Sequence, residues 1–335
     1  MEISTNIAVP VIDSSHTSAT RQRATELAES AGFAETDAHR VGLVATELAT
    51  NLVKHANGGA EMMMRIVGTG PHAEVELLAL DRGPGIVDVR RSLEDGYSTA
   101  GSSGTGLGAI RRLSDTFDLY SQVGKGTAVI ARLRLNRQPA ATSTMIVGAV
   151  SLPMTGEDVC GDTWRSQARP SGIGILVADG LGHGLHAADA AAAAAVAFGK
   201  PFTEPSEAVD RIHHAIRHTR GAAGAVAEIR LRERIVRYAG VGNITGVICG
   251  ATASRQMVSM NGTLGHQVRQ IRDYSYPWEP GSLLVMHSDG LSGSWSLDGY
   301  PGLRVKHPSV IAATLYRDFA RGRDDATVIV AREAA

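Results

Sequence analysis

Glu47 and Asn51 stand four residues apart in a stretch whose apolar residues recur at helical spacing, so both side chains project from one face. A carboxylate there can accept a proton, and an amide oxygen can hold a magnesium ion without adding charge. Phosphoryl transfer to a hydroxyl needs both. Taken alone, the pair also describes a solvated polar edge of an amphipathic helix. Asp81 follows the apolar run Val75 to Leu80, where Gly83 and Gly85 permit a tight turn. A buried carboxylate at that point can accept the exocyclic amine of adenine, although Asp-x-Gly-x-Gly also describes an ordinary strand-ending turn. Gly104, Gly106 and Gly108 form a loop whose amides, at the start of the next helix, can face phosphates. The loop satisfies a loose dinucleotide pattern, Gly-x-Gly-x-x-Ala, but that reading requires a strand just ahead, and Asp95 to Gly101 is not one.

Acidic turns mark the second half: Gly161-Asp162, Asp179-Gly180-Leu181-Gly182, Ser288-Asp289-Gly290 and Asp324-Asp325-Ala326-Thr327. Asp179 ends the apolar run Ile173 to Ala178, Asp289 follows Leu283 to His287, and Asp324 and Asp325 precede Ala326 to Val330. Acids at several strand ends can converge on one sheet edge and coordinate hard cations through oxygen. One Asp-Gly is a common turn; the set of four is what points to a metal centre. Other reactive types read as bland. Cys160 lacks a Cys-x5-Arg loop, and His183, between glycines, reads as a buried structural histidine. His213, His214 and His218 share one helix without acidic partners and read as surface residues. Asn243 and Trp164 are expected to shape a substrate cleft.

The elements that must position these residues follow from periodicity. The first half reads as a strand over Ile7 to Ile12, a helix over Ser18 to Ala31 ended by Gly32, and a helix capped by Asp37 that buries Val41, Val44, Ala45, Leu48 and Leu52. Strands are expected over Glu61 to Val67 and Ala73 to Leu80. A helix over Ala109 to Leu113 and a hairpin across Gly124-Lys125-Gly126 follow. Helices on one side of an antiparallel sheet fit this order. The second half alternates strand-like runs with an Ala-rich helix, Leu185 to Phe198, and a helix capped by Ser206 running to Arg217. A β-sandwich flanked by helices accounts for it.

Leu135 to Thr144 is polar, contains Pro139 and lacks apolar periodicity, so it reads as a linker with the boundary near residue 140. The expected division is 1–135, a linker at 136–144, and 145–335. At 335 residues each half can bury its own core. The net formal charge of −1 and the absence of a dense Lys/Arg block argue against a nucleic-acid binder. Two distant cysteines argue against a disulfide framework. No basic stretch followed by an apolar core opens the chain, and the longest apolar run is too short to span a bilayer, so a cytoplasmic protein is expected.

Glu47-Leu48-Ala49-Thr50-Asn51, Asp81-Arg82-Gly83-Pro84-Gly85, Gly104-Thr105-Gly106-Leu107-Gly108 and Gly124-Lys125-Gly126-Thr127 resemble, in order and spacing, the N-box and glycine boxes of the GHKL (Bergerat-fold) ATPases. The resemblance runs from about Ala24 to Leu133 and is closest to the RsbT-type serine/threonine switch kinases of stressosomes. It implies that Glu47 activates a substrate hydroxyl, that Asn51 holds Mg2+, and that Asp81 contacts the adenine of ATP with Thr127 supporting it. No phosphoacceptor helical hairpin precedes the pattern, which disfavours a sensor histidine kinase. Val177-Ala178-Asp179-Gly180-Leu181-Gly182-His183-Gly184, with Arg220-Gly221-Ala222-Ala223 and Gly240-Val241-Gly242-Asn243, resembles the SpoIIE family of metal-dependent phosphatases of the 2C class, the RsbX-type branch in particular. It implies two Mn2+ or Mg2+ ions held by Asp179, the Gly180 carbonyl, Asp289 and Asp324, with Asp162 joining directly or through water. Asp325 is the second choice at the last position.

Together the resemblances imply an α+β chain of two domains: a GHKL α/β sandwich, then an αββα phosphatase sandwich. The implied function is a bifunctional regulator that phosphorylates and dephosphorylates serine or threonine on a STAS-domain partner in a stressosome or partner-switching circuit. An alternative keeps the phosphatase and makes the first domain an ATP-dependent binding switch without phosphoryl transfer. A third treats the second domain as a degenerate scaffold, which its intact acidic set argues against.

Overall fold

A computed structural model describes residues 5–56, 59–94, 106–135, 143–170 and 172–334. Gly104 and most of the linker lie outside the described residues. In chain order the first elements are β1 (Ile7–Pro10), α1 (Ser14–Ser30), α2 (Glu35–His55), β2 (Glu61–Val67), β3 (Glu74–Leu80), α3 (Val89–Ser92), α4 (Gly106–Leu113), β4 (Thr116–Gln122) and β5 (Gly126–Arg134). There follow β6 (Met145–Leu152), β7 (Asp162–Arg169), β8 (Gly172–Gly180), α5 (Leu185–Phe198), α6 (Pro205–Ala215), β9 (Ala222–Arg230) and β10 (Ile235–Val241). The last are β11 (Thr245–Cys249), β12 (Ser254–Gln256), β13 (Tyr274–Pro277), β14 (Leu283–His287), α7 (Pro308–Phe319) and β15 (Ala326–Glu333). No helix among the described residues is long and apolar enough to cross a membrane. The chain divides into two units, one of residues 6–141 with 296–317 and one of residues 142–295 with 318–335.

In the first unit an antiparallel sheet of order β1-β2-β3-β5-β4 carries α1 and α2 on one face. Alternation decides the faces. Val75, Leu77 and Ala79 of β3, with Val129, Ala131 and Leu133 of β5, meet Val41, Val44, Ala45, Leu48 and Leu52 of α2 in one core. Asp13 caps α1 by accepting from the Ser15 amide, and Gly32, at φ +87°, ends it as expected. The expected cap of α2 is corrected: Ala34 occupies the cap position without a side-chain bond, and Asp37 lies in the first turn, where its charge favours the helix N-terminus.

The opposite register positions, Arg65, Glu76 and Arg132, form a buried ion cluster. Glu76 accepts from Arg65 Nε at 2.6 Å, Arg132 Nε at 2.7 Å and Ser309 Oγ at 2.7 Å. Burial alone would raise its carboxyl, but Arg132 and Arg65 hold it well below the usual range. Ser309 belongs to α7, a helix with no counterpart in the sequence reading. Its neighbours tie to the same sheet face: Lys306 to Asp118 at 3.1 Å and the His307 amide to Asp118 at 2.7 Å. Residues 296–317 thus pack with the first unit, whereas periodicity placed them in the second domain. Val310, Ile311, Ala312, Ala313 and Leu315 of α7 are buried, but apolar spacing alone does not say which sheet a helix packs on.

The second unit is a sandwich of two five-stranded antiparallel sheets, β13-β10-β9-β8-β7 and β12-β11-β14-β15-β6. Ile175, Val177, Ala225, Ala227, Val236 and Tyr238 of one sheet face Val147, Ala149, Leu284, Met286, Ile329 and Ala331 of the other. The alternate positions Leu176, Ala178, Val226, Ala239 and Val241 pack on Ala194, Ala195 and Phe198 of α5 and Val209 and Ile212 of α6. The chain is therefore mixed α/β with two domains. Ser206 is not the cap of α6: Glu204 takes that position, and Ser206 bonds instead to Asp273. Strand β7 was not expected from periodicity; its residues Thr163, Arg165, Ser166 and Gln167 are polar, and several are buried all the same.

Candidate functional sites

The first site is a cavity of about 500 Å³ in the first unit, lined by Asn51, His55, Asp81, Gly85, Asp88, Arg91, Gly106 and Thr127 among others. That volume suits a mononucleotide. Asp81 ends β3, where its amide donates to the Thr127 carbonyl at 3.0 Å. Its Oδ1 accepts from the amides of Gly83 at 2.7 Å and Thr127 at 3.3 Å. Burial pushes the Asp81 carboxyl up, and those two amides pull it back. A Cβ on Gly83 would lie 2.4 Å from the His55 carbonyl oxygen, and one on Gly85, at φ +75°, 2.4 Å from that of Gln122. Both glycines are thus demanded by close backbone approach as well as by a turn.

Glu47 and Asn51 of α2 meet the start of α4. A Cβ on Gly106 would lie 3.2 Å from Asn51 Oδ1 and 3.7 Å from Glu47 Oε2. Asn51 Nδ2 is buried with no hydrogen-bond partner, a cost that a bound group can relieve. Gly108 is buried within α4, and Gly104 lies outside the described residues. The cavity, the orphaned Nδ2 donor and the helix start fit the phosphate oxygens of a nucleotide, while Asn51 Oδ1, beside Gly106, is the oxygen available to a magnesium ion.

The second site sits at one edge of the sandwich. Asp162 opens β7 directly opposite Asp179 in the register of β8, so two carboxylates share one sheet end. Asp179 feels the charges of Asp162, Asp289, Asp324 and Asp325; burial first, then those charges, push it up to about 9. Burial, with the charges of Asp325 and Asp324, pushes Asp162 up to about 7. Asp324 is raised too, by burial and then by Asp289 and Asp325. Ser288 Oγ donates to Asp162 Oδ2 at 2.6 Å, while Oδ1 is buried without a partner. Asp289 accepts from Asn243 Nδ2 at 2.7 Å. Asp325 braces the turn, its two oxygens accepting from the amides of Met154 at 2.7 Å and Gly161 at 2.9 Å. Gly180 ends β8, and a Cβ there would meet the Ala187 carbonyl oxygen of α5 at 2.1 Å.

The carboxylates converge but, among the described residues, are not closed to metal-ligand spacing from one another. Asp179, Asp162 and Asp324 are raised by burial first and then by neighbouring carboxylates, and Asp162 Oδ1 lacks a partner; such oxygens are a donor set suited to divalent cations.

Comparison with known proteins matches a family to each half of the chain. Residues 12–133 match the family described as Histidine kinase-like ATPase domain, and residues 169–333 match Stage II sporulation protein E (SpoIIE). Serine/threonine-protein kinase RsbT of Bacillus subtilis (strain 168) is 37% identical over 113 residues, covering 34% of this chain and 84% of that protein. The chain belongs to the RsbT family. It is a fusion in which the RsbT-like domain is followed by a SpoIIE domain. Phosphoserine phosphatase RsbX of Bacillus subtilis (strain 168) is 27% identical over 139 residues, 41% of this chain and 70% of that protein. A chain solved in work on the bacterial stressosome, described as a modular system adapted to control secondary messenger signaling, shares 29% identity. It has a TM-score of 0.53 and covers 56% of this chain and 99% of that one.

Several expectations for the SpoIIE domain are corrected. His183 is exposed, not buried, and its Nδ1 lies 2.6 Å from Glu157 Oε1. Trp164 is 1% exposed and sits in the sandwich core, so it shapes no cleft. His213 is buried, its Nδ1 accepting from the Gly265 amide at 3.1 Å. Cys160 is buried beside Asp162 and Asp325, and burial and their charges push its thiol far up, so it is inert as a nucleophile. Ser288, read only as part of the turn at Asp289, is a direct partner of Asp162.

Proposed function

We propose that this protein both adds and removes a phosphoryl group on serine or threonine of a STAS-domain partner, in a stressosome-like partner-switching circuit of the cytoplasm. In the RsbT-like domain ATP would lie in the cavity, its adenine amine donating to Asp81 with Thr127 in support. Asn51 would hold Mg2+ through its amide oxygen, and the glycine loop of Gly104, Gly106 and Gly108 would face the phosphates. Glu47 takes the proton of the partner's hydroxyl as its oxygen bonds the γ-phosphorus; ADP leaves. The observation that carries this reading is the meeting of Glu47 and Asn51 at Gly106, where Asn51 and Gly106 line the cavity.

In the SpoIIE domain Asp179, Asp289 and Asp324, with the Gly180 carbonyl, would hold two Mn2+ or Mg2+ ions, and Asp162 and Asp325 would support them. When bound, such ions supply Lewis-acid chemistry for phosphoester hydrolysis. The chain itself contributes the shape of that site: Ser288 orients Asp162, and Asn243 orients Asp289.

The test is the full chain incubated with candidate STAS proteins, ATP and Mg2+, then with Mn2+ alone. Phosphate gain followed by loss on a mapped serine or threonine is expected, and absence of both on every partner refutes the reading. Glu47→Ala separates it from the binding-switch alternative: under the kinase reading the parent phosphorylates the partner and the variant does not, and under the binding reading neither transfers phosphate and partner binding is unchanged.

A further inference from the structure

Arg220 stands beside the acidic turn of the SpoIIE domain. Gly180 pairs with Ala222 in the β8–β9 ladder, so the residues after Gly180 run alongside those before Ala222. The Leu181 amide donates to the Gly221 carbonyl at 3.0 Å, locking the two segments together. A Cβ on Gly182 would lie 3.3 Å from Arg220 Nη1, so the guanidinium rests against the bare face of that glycine. The backbone beneath it is rigid. His266 Nε2 donates to the Arg220 carbonyl at 2.8 Å, and Gly221, at φ +83°, has no room for a Cβ between Leu264 and His266.

Four arginines of this unit are tied to carboxylates, which Arg220 is not. Arg169 and Arg230 pair with Glu228, Arg237 with Glu204, and Arg234 with Glu333. The Arg220 guanidinium is exposed and, among the described residues, makes no ion pair or hydrogen bond, although several carboxylates crowd the neighbouring strand ends. It is a spare, planar cation against Gly182, three residues along the chain from Asp179. A phosphomonoester, carrying close to two negative charges at neutral pH, presents the oxygen pair that such a fork grips bidentately.

We infer that Arg220 binds the phosphate of the phosphoserine or phosphothreonine substrate and holds it over the acidic turn. This rests on the phosphatase reading above and assigns that site its substrate anchor. Gly182 serves the same end, since any side chain there would displace the guanidinium.

The test uses the full chain with Mn2+ and a phosphoserine peptide, and inorganic phosphate as competing product. Arg220→Ala should raise KM about ten- to a hundredfold, the loss expected for hydrogen bonds to a charged group, with a smaller fall in kcat. Inhibition by inorganic phosphate should weaken by a similar factor. Arg220→Lys, a point charge without the fork, should recover part of the affinity, and thermal melting of both variants should match the parent. Unchanged KM and unchanged phosphate inhibition in Arg220→Ala, beside an active parent, overturn the assignment of Arg220 alone. A parent that hydrolyses no phosphoserine peptide overturns the phosphatase reading and this assignment with it.

Discussion

Asp179→Asn should make the metal-free SpoIIE domain more stable while removing its response to metal. In the unfolded chain Asp179 ionises near 3.8, whereas in the fold burial and four neighbouring carboxylates push it up to about 9. At pH 7 the fold therefore keeps a proton that the unfolded chain releases across about three pH units. At roughly 1.4 kcal/mol per unit this sets an upper bound of about 4 kcal/mol against folding. Asp162 relaxes part of the same repulsion when its neighbour is neutral, so a gain of about 1–3 kcal/mol is expected from the neutral amide. For a domain of this size that is roughly 3–10 °C in Tm. The sign follows from linkage. A carboxyl whose folded pKa is raised stabilises fully below 3.8 and loses that contribution as pH climbs toward 9, so the advantage of Asn should vanish at pH 4 and grow with pH. Excess Mn2+ should reverse the order, since saturating a site one hundredfold above its Kd adds about 2.7 kcal/mol to the parent. The assay is thermal melting of the full chain in chelator and in Mn2+ across pH 4–9, following the transition that responds to metal. An Asn variant that melts no higher than the parent in chelator at pH 7–8 refutes the argument that these carboxylates await a counter-charge.

Two further outcomes follow from the RsbT-like domain. Glu76→Gln takes the shared carboxylate from the buried Arg65 and Arg132 and should cost about 3–5 kcal/mol in urea unfolding; because Glu76 is held below its usual range, its contribution is present above pH 4.5 and fades as pH falls through the folded pKa, so parent and variant should converge in acid. Gly83→Ala drives a Cβ to 2.4 Å from the His55 carbonyl oxygen and 2.9 Å from Asp81 Oδ1, and should weaken binding of a fluorescent ATP analogue at least about tenfold, a loss of some 1.4 kcal/mol, in equilibrium titration.

Regular periodicity made most of the framework legible. β2 and α5 fall at the boundaries read from sequence, because glycines close each run at both ends. What escaped had the wrong residues for its place. β7 carries arginine and serine at buried positions, and residues 296–317 hold to the first sheet through Ser309, Lys306 and the His307 amide as well as through apolar packing. Polar contacts of that kind depend on which strands meet, and linear spacing carries no record of it. The site residues were legible as types, since acids at strand ends and glycine turns are visible in one dimension. The partners of Ser288 and Asn243 were not, because each lies more than forty residues away.

The glycines have a reason beyond turns. A Cβ on Gly126 would stand 2.0 Å from the Asp81 carbonyl oxygen, one on Gly290 1.9 Å from that of Asp325, and one on Gly180 2.1 Å from that of Ala187. In two of these cases the neighbouring backbone belongs to an acid of the site, and in the third the glycine itself follows one. A strand end presses against its neighbour more closely than any side chain allows, and so the carboxylate it carries is fixed in depth and direction. Only Gly126 of the three has a positive φ, so backbone freedom explains one of them and close approach explains all. The pairing of acid and glycine in both domains therefore arises from a shared packing demand: a charged group can be preorganised at a sheet edge only if the chain beside it gives up its own side chain.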